Sequence, residues 1–289
     1  MTHSQSAFCG WYFRCQSETQ TVAVIPATHS ADGGPSDSGL SGSIQIITDS
    51  GCFGASLPGG FVRENAPIAV LGGCHFRENG LRLALHSGTV DAEGELRFDD
   101  LTPLRYDVMG PFRYVPFMEC RHSVFSMRHR VNGCLRVAGT DYRFVNGDGY
   151  IEGDRGRSFP RKYAWTQCFF DGGSLMLSAA EIPLGPVRFT GVIAAVLLGG
   201  REYRLATYLG ARAMKCAGGE LVLRQGDTTL TAALLDTNAA PLRAPENGAM
   251  TRLIRENAAC RARYELVKGG RRLLSVEADN AAFEYEYDR

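Results

Sequence analysis

Short apolar or alternating runs, separated by glycine, dominate this chain. The longest apolar run, Val192–Leu198, is only as long as a strand. The C-terminal segment alternates apolar and acidic residues: Phe283, Glu284, Tyr285, Glu286, Tyr287 and Asp288. A period of two is the repeat of a β-strand, because successive side chains point to opposite faces. The pattern predicts an all-β protein with many short antiparallel strands.

Paired glycines and one Asn-Gly pair predict hairpin turns between these runs. A two-residue turn of type I′ needs positive φ at both central residues, which Gly and Asn tolerate. The predicted turns are Asn132-Gly133, Gly199-Gly200, Gly218-Gly219 and Gly269-Gly270. The best candidate for a helix is Thr251–Arg261, which begins with a possible Thr cap.

Length and charge narrow the class of protein. With 289 residues the chain is long enough for two domains. Basic and acidic residues number 31 each, so no net field attracts nucleic acid or an anionic membrane. Because no run of about eighteen apolar residues and no export signal is found, we expect a cytoplasmic protein without stable membrane insertion. The oligomeric state stays open.

Cysteine and histidine spacing gives no metal-binding or redox motif. The nine cysteines are scattered and odd in number, without a C-x-x-C pair, and the six histidines are dispersed. We therefore expect reduced, mostly buried cysteines and no metal site. Nucleotide-, haem- and flavin-binding motifs are also missing from the sequence, so no cofactor is expected.

A change in strand pattern suggests where the two domains divide. Short hairpins follow a long strand, Met118–Val131, in the region Gly133–Gly149. The predicted domains are residues 1–135 and 136–289. Each would contain about eight to ten strands, enough to close a barrel or to curl into a half-barrel.

Two segments carry a family resemblance. Phe8–Arg14 reads FCGWYFR, and Phe144–Phe169 reads FVNGDGYIEGDRGRSFPRKYAWTQCF. The first resembles the F-E-G-W-Y-F-K opening of the tocopherol cyclase family, and the second resembles that family's central block. Ile44–Thr48 and Pro116–His122 resemble a bacterial branch of the same family. The resemblance is collinear and covers most of the chain.

The resemblance implies a fold and an activity. The family is related to the lipocalin-like double-barrel carotenoid hydratases, which implies two lipocalin-like antiparallel β-barrel or half-barrel domains. Tocopherol cyclases protonate a prenyl double bond, and a phenol oxygen then attacks the carbocation. The implied activity is a cofactor-independent, acid-catalysed cyclisation or isomerisation of a prenylated or other hydrophobic small molecule. The alternative is a lipocalin-like binding protein for a hydrophobic ligand, without catalysis.

The chain departs from the family pattern at two places. Cys9 stands where the family opening has Glu, which removes one candidate proton donor. Gly153-Asp154-Arg155 stands where the family has Lys-Asn-Trp, so an aromatic ring is lost and an acid is gained. These changes affect residues that the implied cyclase reaction would use. The predicted fold does not depend on them.

Glu152 and Asp154 are the candidate catalytic acids. They lie two residues apart on a predicted strand and therefore share a face with Tyr150. Two buried carboxyl groups oppose each other's ionisation, so one can keep its proton near neutral pH. In the alternative interpretation, Asp154 pairs with Arg155 or Arg157 in a structural turn around Gly156. Buried, adjacent acids would favour catalysis, and arginine pairs would favour the binding protein.

The candidate substrate-binding residues lie on several predicted strands. Tyr163, Trp165, Gln167 and Phe169 would form an aromatic wall, to which Trp11 adds a ring. Glu119 and Arg121 share a face, where they would either orient a ligand or form a structural pair, and His122 points the other way. The predicted set comprises Trp11, Glu119, Arg121, His122, Tyr150, Arg157, Trp165 and Gln167. We expect Tyr150–Phe169 to line a water-poor hollow with its acids turned inward.

Overall fold

The structure is a computed structural model that describes residues 8–30, 40–115, 118–184, 187–236 and 239–287. Pro116, Phe117 and Asp288 therefore lie outside the described residues. The regular structure of the described part consists of twenty-one strands and two short 3₁₀ turns, Gly110–Tyr114 and Thr207–Leu209. This composition confirms the predicted all-β class. Among the described residues, no helix is long and apolar enough to cross a membrane.

The first sheet contains eleven antiparallel strands. In chain order they are β1 (Phe8–Gln16), β2 (Thr21–His29), β3 (Ser41–Thr48), β4 (Gly51–Leu57), β5 (Phe61–Val62), β6 (Ala69–Leu71), β7 (Cys74–Arg77), β8 (Gly80–His86), β9 (Asp91–Asp99), β10 (Cys120–Val137) and β11 (Thr140–Gly156). The spatial order is β4-β3-β2-β1-β11-β10-β9-β8-β7-β6-β5. The first and last strands are therefore neighbours near the middle of the sheet.

The second sheet repeats this topology with ten strands. In chain order they are β12 (Tyr163–Phe170), β13 (Gly173–Leu184), β14 (Val187–Leu198), β15 (Arg201–Ala206), β16 (Arg212–Ala217), β17 (Glu220–Gln225), β18 (Thr228–Leu234), β19 (Ala240–Glu246), β20 (Ala249–Lys268) and β21 (Arg271–Tyr285). Their order is β15-β14-β13-β12-β21-β20-β18-β17-β16, and β19 pairs with β20. Again the first strand of the sheet, β12, pairs with the last, β21.

The chain forms two compact units. Unit 1 comprises residues 1–105, 117–159 and 242–253, and unit 2 comprises residues 106–116, 160–241 and 254–289. After Phe159 the chain thus passes from unit 1 into the main part of unit 2. The sequence-based boundary at residue 135 lies inside the β10–β11 hairpin, both of whose strands belong to unit 1.

Each unit has an apolar core on one face of its sheet. In unit 1 the core includes Trp11, Phe13 and Ile151, whose neighbours along the strands point to the other face. In unit 2 it includes Ala164 and Cys168 on β12. The second face of these central strands is also buried, and in unit 1 it carries the predicted acids.

Local turn chemistry agrees with three of the four predicted hairpins. Gly199-Gly200, Gly218-Gly219 and Gly269-Gly270 each join paired strands and have positive φ at both residues. The prediction for Asn132-Gly133 was wrong, because both residues lie inside β10 next to a register shift. The turn of that hairpin is Ala138-Gly139, with φ of 48° and 83°.

The predicted helix at Thr251–Arg261 was also wrong. The segment belongs to β20, which pairs with β21. Buried and exposed residues alternate through much of β20, as a strand with one buried face requires. Two register shifts between Asn257 and Ala262 interrupt this alternation, which obscures the strand signal in the sequence.

Candidate functional site

Three neighbouring strands of unit 1 build the candidate site. β11 lies between β10 and β1, and residues opposite one another point to the same face. Asp154 is opposite His122 on β10 and Gly10 on β1. Two residues earlier on β11, Glu152 is opposite Val124 on β10 and Tyr12 on β1. This face is the one opposite the apolar core of unit 1.

His122 bridges the two predicted acids. Its Nε2 lies 3.2 Å from Oε2 of Glu152, and its Nδ1 lies 3.1 Å from Oδ1 of Asp154. The hydroxyl of Tyr150 donates to the same Oε2 of Glu152 at 2.5 Å. We call Tyr150, Glu152, His122 and Asp154 the acid–histidine cluster. This contact agrees with the prediction that Tyr150 and Glu152 share a face of the strand.

The side chains of the cluster differ in how much of their surface is exposed. The Glu152 side chain is 7 % exposed, that of His122 is 12 % exposed, and that of Asp154 is 24 % exposed. The thiol of Cys120 donates to Oδ1 of Asp154 at 3.4 Å. Glu152 is thus the more deeply buried acid, and Asp154 lies nearer to solvent.

The surroundings shift the pKa values within the cluster in favour of bound protons. Burial by itself lowers the pKa of His122, but the charges of Glu152 and Asp154 outweigh burial and raise that pKa well above its usual value. Burial raises the pKa of Glu152; the positive charge and the close contact of His122 lower it, the charge of Asp154 raises it, and the hydrogen bond from Tyr150 lowers it, with a net rise. Burial and the charge of Glu152 raise the pKa of Tyr150 well above its usual value, which keeps its hydroxyl a donor.

The same three residues also offer donor atoms for a metal ion. One ligand atom each from His122, Glu152 and Asp154 lies within 4.8 Å of the others. Both ring nitrogens of His122 face a carboxylate, however, and this arrangement favours the imidazolium form, which has no lone pair for a metal. The sequence-based expectation of no metal stays a prediction.

The arginines next to the acids have other contacts. Arg155 pairs with Glu64, with Nε 3.6 Å from Oε2, and it donates to the Glu64 carbonyl at 3.0 Å. Arg157 is exposed, and its backbone N–H donates to the carbonyl of Glu119 at 2.8 Å. The cation that contacts both Glu152 and Asp154 is therefore His122.

Other predicted site residues in unit 1 lie apart from the cluster. Trp11 is buried in the core on the opposite face, where its Nε1 donates to the Arg63 carbonyl at 2.8 Å. Glu119 is exposed and immediately precedes β10. Arg121 is opposite Arg155, one residue out of phase with His122. The alternation of a strand therefore separates these three side chains from Glu152.

The remaining predicted residues belong to unit 2. Trp165 and Gln167 are buried on β12 together with Tyr163 and Phe169, on the face opposite the unit 2 core. Tyr163 donates from its hydroxyl to Oε2 of Glu284 at 2.5 Å. Glu284 is 9 % exposed and is opposite Trp165. Sequence reasoning did not single out this buried acid, although it lies in the alternating C-terminal segment.

Sequence reasoning also missed three features of the unit 1 site. It placed His122 in a ligand-binding role and did not connect it to the acids. Tyr12, directly opposite Glu152, and Cys120, bonded to Asp154, were not singled out. All three contacts depend on how β1, β10 and β11 are paired. The pattern of residues along one strand does not contain this register.

Similarity to solved structures extends over almost the whole chain. NE1406 of Nitrosomonas europaea, provisionally named AttH, has a TM-score of 0.54 and 12% identity, over 99% of this chain and 94% of that one. CghA has a TM-score of 0.57 and 12% identity in its structure with Sch210972, over 98% of this chain and 89% of that one. CghA solved on its own gives a TM-score of 0.56 and 11% identity, over 98% and 88%.

At these identities the similarity establishes the fold only. The protein belongs to the class of lipocalin-like folds with two barrel or half-barrel domains, as the sequence predicted. No protein-family model matches the chain, and no curated protein matches it. The resemblance to tocopherol cyclases therefore stays a prediction.

Proposed function

We propose that this protein is a cofactor-independent acid–base catalyst that cyclises or isomerises a hydrophobic small molecule. The observation that carries the proposal is the position of His122 between two carboxyl groups on a buried sheet face. General acid catalysis near neutral pH needs a group that still holds its proton there. Perturbed pKa values at such a cluster are typical of functional sites, because burial and charge partners both act on it.

Glu152 is the proton donor in this proposal. Its Oε2 accepts from the Tyr150 hydroxyl and lies 3.2 Å from Nε2 of His122, so we place the transferable proton on Oε1. Asp154 acts as a positioning residue, because its carboxylate holds Nδ1 of His122 and so orients the imidazole. Both acids were candidates for catalysis from the sequence, and we assign the donor role to Glu152 and the orienting role to Asp154.

The experiment measures proton transfer during turnover. A panel of prenylated hydroquinones and polyenyl carbonyl compounds is incubated with the protein in D₂O, and the products are analysed by mass spectrometry. We expect an isomeric product and a rate at least about 100-fold lower for Glu152→Gln, since general acid catalysis contributes about 10²–10⁴-fold; deuterium at carbon would show that the accepted proton goes to an alkene. Undiminished turnover by Glu152→Gln would refute the assignment.

A lipocalin-like carrier without chemistry is the second candidate function. One observation favours it: CghA, which shares the fold at low identity, has been solved with Sch210972. A carrier would retain a hydrophobic ligand that native mass spectrometry detects and that is released unchanged. It would also show equal affinity for the wild type and Glu152→Gln. Trp165 and Gln167 remain predicted ligand-binding residues under both functions.

A further inference from the structure

The acid–histidine cluster places a cation directly beside its acid. Nε2 of His122 lies 3.2 Å from Glu152, and Asp154 holds the other ring nitrogen at 3.1 Å. The carboxylate of Asp154 at Nδ1 holds the imidazole as imidazolium, while Glu152 at Nε2 carries the proton that it transfers. This positive charge stabilises a transition state that places negative charge on a substrate oxygen. It opposes a transition state that places positive charge on a substrate carbon.

Neither Tyr150 nor Trp11 turns its ring face toward Glu152. A carbocation is stabilised by the face of an aromatic ring. Tyr150 directs its hydroxyl, not its ring face, at Glu152. The indole of Trp11 lies on the other face of the sheet, edge-to-face with Phe125 at 6.4 Å. Gly153 makes room for that indole, because a Cβ there would lie 2.7 Å from the ring.

From this juxtaposition we infer that the substrate offers a carbonyl or enol oxygen, not a bare alkene, to Glu152. The inference rests on the proposed function and specifies its substrate class. An enol carbon of the same substrate forms a C–C bond to the carbonyl carbon as the C=O π electrons shift onto the carbonyl oxygen. That oxygen takes the proton of Glu152, and His122 stabilises the negative charge that develops there. The enol C=C is consumed as the enol oxygen forms its own C=O and gives its O–H proton back to Glu152, so the ring closure is an isomerisation without oxidant or co-substrate.

Two small probes of opposite charge test the substrate class. 4-Nitrophenol represents the oxyanion, and its absorbance shows how much of the bound form is phenolate. Phenyltrimethylammonium represents a carbocation of similar size. We expect isothermal titration calorimetry to show at least about tenfold tighter binding of the phenolate. His122→Asn should abolish this preference, since a hydrogen bond to a charged group contributes about 1.5–3 kcal/mol.

Two further variants keep the test decisive. Tyr150→Phe retains the ring and leaves the ionised form of Glu152 less stabilised, so Glu152 keeps its proton and phenolate binding should tighten severalfold, even if His122→Asn does not fold. Tyr142→Phe is the matched control, since it removes a hydroxyl of unit 1 that lies 3.0 Å from Oγ of Ser50 on a tyrosine of the apolar core. It should bind both probes as the wild type does.

The outcomes separate this inference from the proposed function. Tighter binding of phenyltrimethylammonium, unaffected by His122→Asn and Tyr150→Phe, would overturn the carbonyl substrate and leave Glu152 as an acid for carbocation chemistry. Binding of neither probe would overturn the carbonyl substrate as well. If Glu152→Gln in addition leaves the rate of product formation unchanged, the proposed function itself fails.

Discussion

His129 is a buried histidine of unit 1 that the acid–histidine cluster does not use. The residue is 2 % exposed, and its ring centroid lies 4.7 Å from that of Phe98. Nδ1 lies 3.2 Å from Oγ of Ser126, and this oxygen donates to the Arg128 carbonyl. His129 is therefore the donor in that pair and carries its proton on Nδ1. Burial lowers the pKa of His129 to about 3.

Acid should destabilise the protein through His129. The folded-state pKa of about 3 lies below the ordinary value of 6.5, so the unfolded state binds this proton more readily. The contribution to stability is complete above about pH 6.5 and is lost as the pH falls toward 3. Between pH 6.5 and 4.5 the loss amounts to roughly 2.5 kcal/mol, at about 1.4 kcal/mol per pH unit.

Urea unfolding at pH 7 and pH 4.5 measures this contribution. His129→Gln cannot titrate, so its free energy of unfolding should fall by roughly 2.5 kcal/mol less than that of the wild type. The acid–histidine cluster titrates in both proteins and cancels in the comparison. Equal losses in the two proteins would show that His129 is not the acid-sensitive group.

At the scale of elements, one glutamine fixes a hairpin to the first sheet. The hairpin tip Leu242–Leu253 belongs to unit 1. Nε2 of Gln45 donates to the Arg243 carbonyl at 2.9 Å, and Oε1 accepts from the Arg243 N–H at 2.9 Å. The amide side chain thus replaces the backbone of a neighbouring strand. Phe159 adds a second attachment, since its N–H donates to the Pro245 carbonyl at 3.1 Å.

Gln45→Ala should loosen this hairpin without unfolding the sheet. Two hydrogen bonds of about 1 kcal/mol each are lost, so amide exchange in residues 242–250 should accelerate roughly 10- to 30-fold. Gln225→Ala is the matched control, because Gln225 makes the same two bonds to Ala206 and Arg204 in unit 2. Hydrogen-exchange mass spectrometry should show faster exchange near residue 205 only in that variant. Unchanged exchange in 242–250 for Gln45→Ala would contradict the role of Gln45.

Turns and strands that depend on a few adjacent residues could be predicted from the sequence. Contacts that depend on how strands pair could not. Gly269-Gly270 is a turn because glycine tolerates positive φ at both positions, a property of those residues alone. Asn132-Gly133 has the same local signal, but a longer pairing of β10 with β11 places the turn at Ala138-Gly139. The contacts of His122 depend on this register and on the shift between Val124 and Ser126. A pattern read along one strand cannot supply them.

At the scale of the whole molecule, the last strand of each sheet carries a buried glutamate that accepts a hydrogen bond from a tyrosine, on the same strand in the first sheet and on the neighbouring strand β12 in the second. Tyr150 donates to Glu152 on the last strand of the first sheet, and Tyr163 donates to Glu284 on the last strand of the second, both at 2.5 Å. The partners across the hairpins differ, because Val124 is opposite Glu152 whereas Glu256 is opposite Glu284. The described residues place a histidine between two acids in unit 1 only.

Tyr150→Phe and Tyr163→Phe should therefore have similar effects on stability and different effects on the proton of Glu152. Each change removes one hydrogen bond to a buried carboxyl group, which costs about 1–3 kcal/mol in urea unfolding. Loss of the Tyr150 hydroxyl leaves the ionised form of Glu152 less stabilised, so its pKa should rise further, in the direction that burial already shifts it. Infrared spectroscopy as a function of pH can follow the carboxylic-acid band that Glu152→Gln removes. That band should persist to higher pH in Tyr150→Phe and remain as in the wild type in Tyr163→Phe; identical titrations in all three proteins would contradict the coupling of Tyr150 to the acid.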